Sequence, residues 1–377
     1  MRYIRFCSVA AVAAAMVTGL TGGPATAADQ DQDRVPCSGT ALSLAIATAR
    51  NGETIDLRSD CTYLLSAALP TVGKDLTIRG NGATILRDGT TASPFRIFDI
   101  NSNGNLRLQD LTVRGGYLTA TSTAGDGAGI RVNGGALRLS KVDVVDNTAV
   151  ANGGGIAVES GGSADIRSSY VAFDNASNGG GLYTAGTVTV ENSEFARNHA
   201  RASGGGIYQA TGSTFIGTSV IRRNTAAGSA SGGGVYIAGS QLTEIVDSKI
   251  TNNTDTGTAG GGIYNNGNLR LTKSEVSGNV VGGYSGQGGG IYNSGRLYLK
   301  GTDVFRNSAN GGGSAVGGGI YNSGGTVTLD HSTVRNNAST VAPGGVRTNV
   351  AITLRDSTIT RNIPTNCAPL TFTGCTD

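Results

Sequence analysis

From Gly125 onward the chain repeats one arrangement of apolar and polar positions. An apolar residue preceded by glycines recurs at Ile130, Ile156, Leu182, Ile207, Val235, Ile263, Ile291, Ile320 and Val346, at intervals of 25 to 29 residues. In each unit an asparagine follows 16 to 19 residues later: Asn147, Asn175, Asn198, Asn224, Asn253, Asn279, Asn307, Asn337 and Asn362. Eight of those nine carry Val, Ile or Phe three residues before them. Between the two signatures lies a short alternating run, as in Leu269-Arg270-Leu271, Leu297-Tyr298-Leu299, Val327-Thr328-Leu329 and Ile352-Thr353-Leu354. Runs this short, period-two and broken by glycine exclude helices. Three brief strands per unit predict a triangular coil. A sandwich or propeller also has short strands, but neither returns an apolar residue to the same phase every ~27 residues. The predicted architecture is therefore all-β: a right-handed, single-stranded parallel β-helix.

Stacked coils place each strand beside its counterpart one turn on, at ~4.8 Å, so backbone donors and acceptors pair in parallel sheets. Triplets such as Gly204-Gly205-Gly206 and Gly288-Gly289-Gly290 then mark tight corners that require positive φ or close backbone approach. The asparagines are expected to form an inward ladder at another corner, each amide bonded to the next. Open ends of such a stack need caps. Leu42, Ala45, Ile46 and Ala49 fall at helical spacing within Ser38 to Asn51, with Ser38 or Thr40 able to cap the start and Gly52 able to end it. Irregular coils are expected at Thr54-Leu57, Leu76-Ile78, Thr84-Leu86 and Phe95-Ile100.

The N-terminus changes the picture of where the protein works. Arg2 and Arg5, the apolar run Val9 to Val17, then Gly22, Gly23, Pro24 and Ala25-Thr26-Ala27 together have the form of a secretory signal peptide. No segment approaches the ~20 apolar residues of a membrane span, so a secreted, extracellular, soluble monomer is expected. Cys7 belongs to the signal, which leaves Cys37, Cys61, Cys367 and Cys375 for an oxidising compartment. Four cysteines allow three pairings. The local one, Cys37 with Cys61 and Cys367 with Cys375, is favoured because a long stack separates its ends by far more than the ~7 Å that a disulfide tolerates between Cα atoms. Zinc is disfavoured, since no CxxC spacing occurs. The expected organisation is a signal peptide (1–27), an N-terminal cap with a short helix (28–53), irregular coils (54–124), regular Gly-rich coils (125–363) and a C-terminal disulfide cap (364–377). Pro364 and Pro369 in that last segment interrupt strand addition.

With 61 glycines in 377 residues, a formal charge of +3 and 15% charged residues, there is no basic field to hold nucleic acid. Only two histidines are present, His199 and His331, in non-equivalent phases. No nucleophile elbow, metalloprotease or P-loop motif occurs, and Gly125-Asp126-Gly127-Ala128-Gly129 is part of the glycine repeat, not a nucleotide fingerprint. No cofactor or metal is expected. A polysaccharide lyase on such a scaffold needs a base and a neutraliser of the sugar carboxylate on one face. The candidates are Lys273, Lys300, Glu275 and Asp303, with Lys249, near the third strand of neighbouring coils; mixed-sign solvated pairing is the stronger reading of them. Arg197, Arg223, Arg306 and Arg361, with Asp146 and Asp174 at the same phase, form an outward column. The most distinctive surface feature is Tyr183, Tyr208, Tyr236, Tyr264, Tyr292 and Tyr321, each following the buried apolar residue. Alternation turns them outward as a flat strip of roughly 25 Å, suited to sugar faces or simply to self-stacking.

Gly205-Gly206-Ile207 and Phe195-Ala196-Arg197-Asn198 resemble the GGxI and FxxN signatures of polymorphic outer membrane protein repeats, as found in secreted right-handed β-helix proteins of actinobacteria. Cys37-Ser38, Ile55-Asp56-Leu57 and Cys61-Thr62-Tyr63 resemble the cap that precedes such repeats. The resemblance implies adhesin-like surface proteins, while the wider fold also hosts polysaccharide lyases and glycoside hydrolases. Unlike in the outer membrane proteins, no translocating C-terminal barrel is expected after the last repeat. The expected function is non-catalytic binding of a polysaccharide or cell-surface glycan; a lyase or glycoside hydrolase is the alternative, and a structural filament is opposed by the cysteine-bearing caps.

Overall fold

The computed structural model describes residues 34–91, 93–229, 231–369 and 375. The expected signal peptide, the start of the N-terminal cap and most of the chain after 369 lie outside the described residues. The coils stack as a right-handed parallel β-helix. One sheet of 11 strands takes one strand from each coil, and sheets of 21 and 9 strands form the other sides.

A regular coil contributes four short strands, where three were expected. In one coil these are Ile263–Asn265, Asn268–Thr272, Glu275–Ser277 and Val280–Val281. The first belongs to the 11-stranded sheet, the next two to the 21-stranded sheet and the last to the 9-stranded sheet. The two middle strands are parted by one left-handed residue, Lys273 (φ 49°), and the third ends at another, Gly278 (φ 63°). A two-residue strand is too short to show a period, which is why the fourth escapes a pattern search. Stacking is in register, Ile263 on Ile291 and Tyr264 on Tyr292. Most buried apolar residues form one core from Leu42 to Cys375, with two small clusters apart from it, around Leu118 and around Val281, each buried Leu, Ile or Val contributing about 1.5–3 kcal/mol.

Polar ladders close the inside corners. Asn198 donates through Nδ2 to Val171 O at 2.9 Å and to Asn224 Oδ1 at 3.1 Å, and Asn224 passes the pattern to Asn253. The ladder runs on through Asn279, Asn307 and Asn337 to Asn362. One rung differs from expectation. Asp174, fully buried, occupies the ladder position and accepts from Asn147 N and Nδ2 at 2.8 and 2.9 Å, while Asn175 points outward. Asp174 is thus not in the outward column; Phe173 holds that left-handed corner (φ 59°), as Arg197 and Arg223 do in the next coils. A second ladder lines the neighbouring corner, where the N–H of each of Ser169, Ser193, Ser219, Ser248, Ser274, Thr302 and Ser332 donates to the hydroxyl one coil on, at 3.0–3.4 Å. Asn265, Asn293 and Asn322 make a third. Glycine is required beside these ladders: Gly204 has φ +66°, and a Cβ on Gly206 would stand 2.8 Å from Gly234 O.

The N-terminal helix α1 spans Gly39–Thr48, with Ser38 accepting from Ala41 N. Leu42 and Ile46 face the first coil. Lys74 Nζ takes the last-turn carbonyls of Ala47 and Ala49, satisfying the negative end of the helix. The helix therefore stops before Gly52, which instead turns the chain (φ 80°) into the strand Glu53–Asp56. Both local disulfides form, Cys37–Cys61 and Cys367–Cys375, with Cα atoms 5.8 and 6.3 Å apart. Among the described residues no helix is long and apolar enough to cross a membrane.

Candidate functional site

The outward position of the 11-stranded sheet is one continuous column: Asp99, Arg131, Ala157, Tyr183, Tyr208, Tyr236, Tyr264, Tyr292, Tyr321 and Arg347. The six rings lie 4.6–5.6 Å apart between centroids, with interplanar angles of 3–14°. Rings laid flat side by side at strand spacing would overlap, so they stand on edge against one another. The expected flat strip is therefore a stack whose interior faces are occupied by neighbouring rings, leaving edges and hydroxyls for a ligand. Only Tyr183 and Tyr321 have a face not covered by another row ring, towards Ala157 and Arg347. Burial pushes the Tyr183 and Tyr264 phenols up to about 12 and raises Tyr208 and Tyr236.

On the 21-stranded sheet, Lys273, Glu275 and Asp303 do come together. With Asp247, Lys249 and His331 they line an open groove of about 330 Å³ along the corner between two strands. Lys300 is not in its lining; it ends its strand, in register with Thr272 and Asp330. Glu275 and Asp303 are direct neighbours in register, and each has its own partners. Lys249 Nζ stands 3.8 Å from Glu275, Ser277 donates to Glu275 at 2.5 Å, and Thr333 and Arg335 hold Asp303. His331 meets Asp330 at 2.6 Å and Asp356 at 3.5 Å. His199 begins a strand of the 9-stranded sheet. The arginine column sits at left-handed corners, with Arg197 over the Phe173 ring at 5.4 Å.

A third constellation escapes sequence reading. At the head of the tyrosine row Arg131 forms a two-point pair with Asp99, at 2.8 and 3.0 Å, and Arg96 lies 3.6 Å from the same carboxylate. Beside them stand the buried carboxyl of Asp126 and that of Glu159, near enough to shift each other's ionisation. Burial, then the Asp126 charge, pushes Glu159 up to about 7; burial also raises Asp126. Burial lowers Arg96 to about 10. Its sequence signal was a substitution, not a motif: the column that holds tyrosine in six coils holds Asp99, Arg131 and Ala157 in the three before them.

Among the described residues no three His, Cys, Asp or Glu side chains converge as a metal ion requires. No known protein family matches the sequence, and no curated protein does. Among solved structures, the crystal structure of pectate lyase Pel9A is similar at 19% identity, over 84% of this chain and 72% of that one, with a TM-score of 0.35.

Proposed function

We propose that this is an extracellular β-helix protein that holds an extended polysaccharide or surface glycan against the outer face of its 11-stranded sheet without cleaving it. The observation that carries this is the tyrosine row, unbroken and in register over six consecutive coils. Its rings are immobilised by each other before any ligand arrives, so little side-chain freedom is lost on contact. A straight row of hydroxyls and ring edges at coil spacing suits a ligand that is itself a linear repeat. The likeness of the GGxI and FxxN units to surface-protein repeats supports the same role.

The test is retention on a panel of insoluble and immobilised polysaccharides, neutral and acidic. Replacing Tyr236, Tyr264 and Tyr292 together by Phe keeps the stack and removes three hydroxyls. At about 0.5–1.5 kcal/mol per hydrogen bond, retention should weaken roughly tenfold or more while the melting transition stays put. Unchanged retention would reduce the row to scaffold.

The second reading, a polysaccharide lyase or glycoside hydrolase, is favoured by the convergence of Lys273, Glu275 and Asp303 in one groove. The partners that Glu275 and Asp303 have across coils count against it, because a base or nucleophile must be available to substrate. Unsaturated-product absorbance or new reducing ends that vanish in Lys273→Ala would establish that reading and displace the first.

A further inference from the structure

The tyrosine row ends differently at its two ends. Before Tyr183 the outward column holds Ala157, a buried methyl, and then Arg131, whose guanidinium is held by Asp99 at 2.8 and 3.0 Å. After Tyr321 it continues directly as Arg347, in register one strand on. The Tyr321 ring is stacked on Tyr292 on one side, at 5.4 Å and 8°, and no further row ring follows on the other. Gly317 lies at the foot of this end. A Cβ there would stand 3.1 Å from Tyr321 Cβ and 3.2 Å from Arg347 Cβ, so the two side chains rise next to each other beside a bare glycine.

Arg347 is a cation without an anion. Among the described residues it has no ion pair and no hydrogen bond, and its Nε is buried with no acceptor. Asp99 and Arg131, the other two charges of the column, neutralise each other. The acidic residues nearest Arg347 in sequence are engaged elsewhere, Asp330 by Tyr298 and His331 and Asp356 by His331. A buried N–H without an acceptor is unfavourable. The same Nε–H, together with a neighbouring Nη–H, makes the fork that grips a carboxylate at two points. Arg347 is partly exposed, so the side chain can turn to meet one.

We propose that Tyr321 and Arg347 form an end site for an acidic sugar: the open ring face takes the sugar, and the guanidinium takes its carboxylate as a two-point pair. This rests on the binding role proposed above for the row, and it narrows the ligand to a polysaccharide that carries uronic acids. A sulfate ester brings the same charge on oxygens that are weaker acceptors, and is the lesser ligand.

The test is retention of the full chain on immobilised alginate, a polymer of uronic acids, on the same alginate with its carboxylates reduced to alcohols, and on dextran sulfate. The intact protein should hold alginate at least about tenfold more tightly than the reduced polymer, and added salt should narrow that gap. Arg347→Gln should remove the preference and leave retention on the reduced polymer unchanged, which also shows that the variant is folded. Arg347→Lys keeps the charge without the fork and should recover only part of the preference. Arg107→Gln removes an equal charge from the 21-stranded sheet and should change nothing. A preference that survives Arg347→Gln, or falls equally in Arg107→Gln, overturns the end site. Equal retention of alginate and its reduced form by the intact protein also overturns it, while leaving the row's binding role standing. A loss on dextran sulfate in Arg347→Gln as large as the loss on alginate overturns the choice of a carboxylate. No retention of any polymer by the intact chain overturns the binding role and the end site with it.

Discussion

The six coils that carry the tyrosine row and the three before them share one outward column, yet fill it by opposite rules. In a parallel stack held in register, every side chain sits one strand spacing from its own counterpart. Tyrosine, asparagine and serine tolerate that, since rings stack and an amide or hydroxyl both donates and accepts. A charge does not, because like charges directly opposite are destabilising. Several columns obey this, with Arg131 on Asp99, Arg270 on Glu244 and Lys249 beside Glu275, while Glu275 on Asp303 and Arg107 on Arg138 are like-charged exceptions. Repetition is thus the stabilising device, and departure from it marks where chemistry can be placed.

Breaking a repeated column should have the largest effect. Asn253 sits mid-ladder, giving hydrogen bonds to Ile221 O and Asn279 and receiving two from Asn224. Asn253→Ala strands several buried groups at ~1–3 kcal/mol each, so a loss of at least about 3 kcal/mol in denaturant unfolding is expected. A loss under about 1 kcal/mol would mean that the ladder is ornament. Tyr264→Ala, on the outer column, should cost far less.

Asp174 sharpens the comparison, because it is a carboxyl inside a repeated column. The following residue, Asn175, looks like the rung when only asparagines are followed. Yet the apolar residue three positions earlier fits Val171 and Asp174, and with that substitution all nine units agree. Burial holds the Asp174 carboxyl well above the usual carboxylate range, hence neutral, and its Oδ2 has no donor to accept from. A protonated oxygen there supplies the hydrogen that an amide would. Since the folded state binds a proton that the unfolded chain releases above pH ~4, stability falls as pH rises through that window. Asp174→Asn removes this loss. The gap between the two proteins should widen by up to about 1.4 kcal/mol per pH unit above pH ~4. Parallel stability curves for the two would show that the rung is ionised after all.

The sequence made the coils legible because every coil repeats the same physical demand: an apolar residue inward, glycine where no Cβ fits, a hydrogen-bonding side chain at a corner. The serine ladder, always five residues before a rung, is equally regular but hard to see, since serine is common and its corner falls in the gap between the alternating run and the asparagine signature. The head of the row was illegible for the opposite reason. Asp126 and Arg131 stand in one coil and Glu159 in the next, Asp126 and Glu159 at phases where no other coil carries a charge, and no period gathers them.

The smallest effects belong to the tyrosine column itself. Stacked pairs add about 0.5–1.5 kcal/mol beyond their buried area, so Tyr264→Ala should destabilise by about 1–2 kcal/mol and Tyr264→Phe by less than about 0.5 kcal/mol. The phenol adds a pH signature. Burial, followed by the neighbouring Tyr292 and Tyr236, pushes Tyr264 up to about 12, whereas an unfolded tyrosine ionises near 10. The folded state therefore keeps its proton longer, and stability is lost as pH rises from about 10 to about 12. Absorbance titration at the phenolate band should show one slow-titrating tyrosine fewer in Tyr264→Phe, with the alkaline loss of stability correspondingly shallower. Row tyrosines that all ionise at the unfolded value would mean that the rings stand free in water, and the stack would then lose its claim to be a prearranged surface.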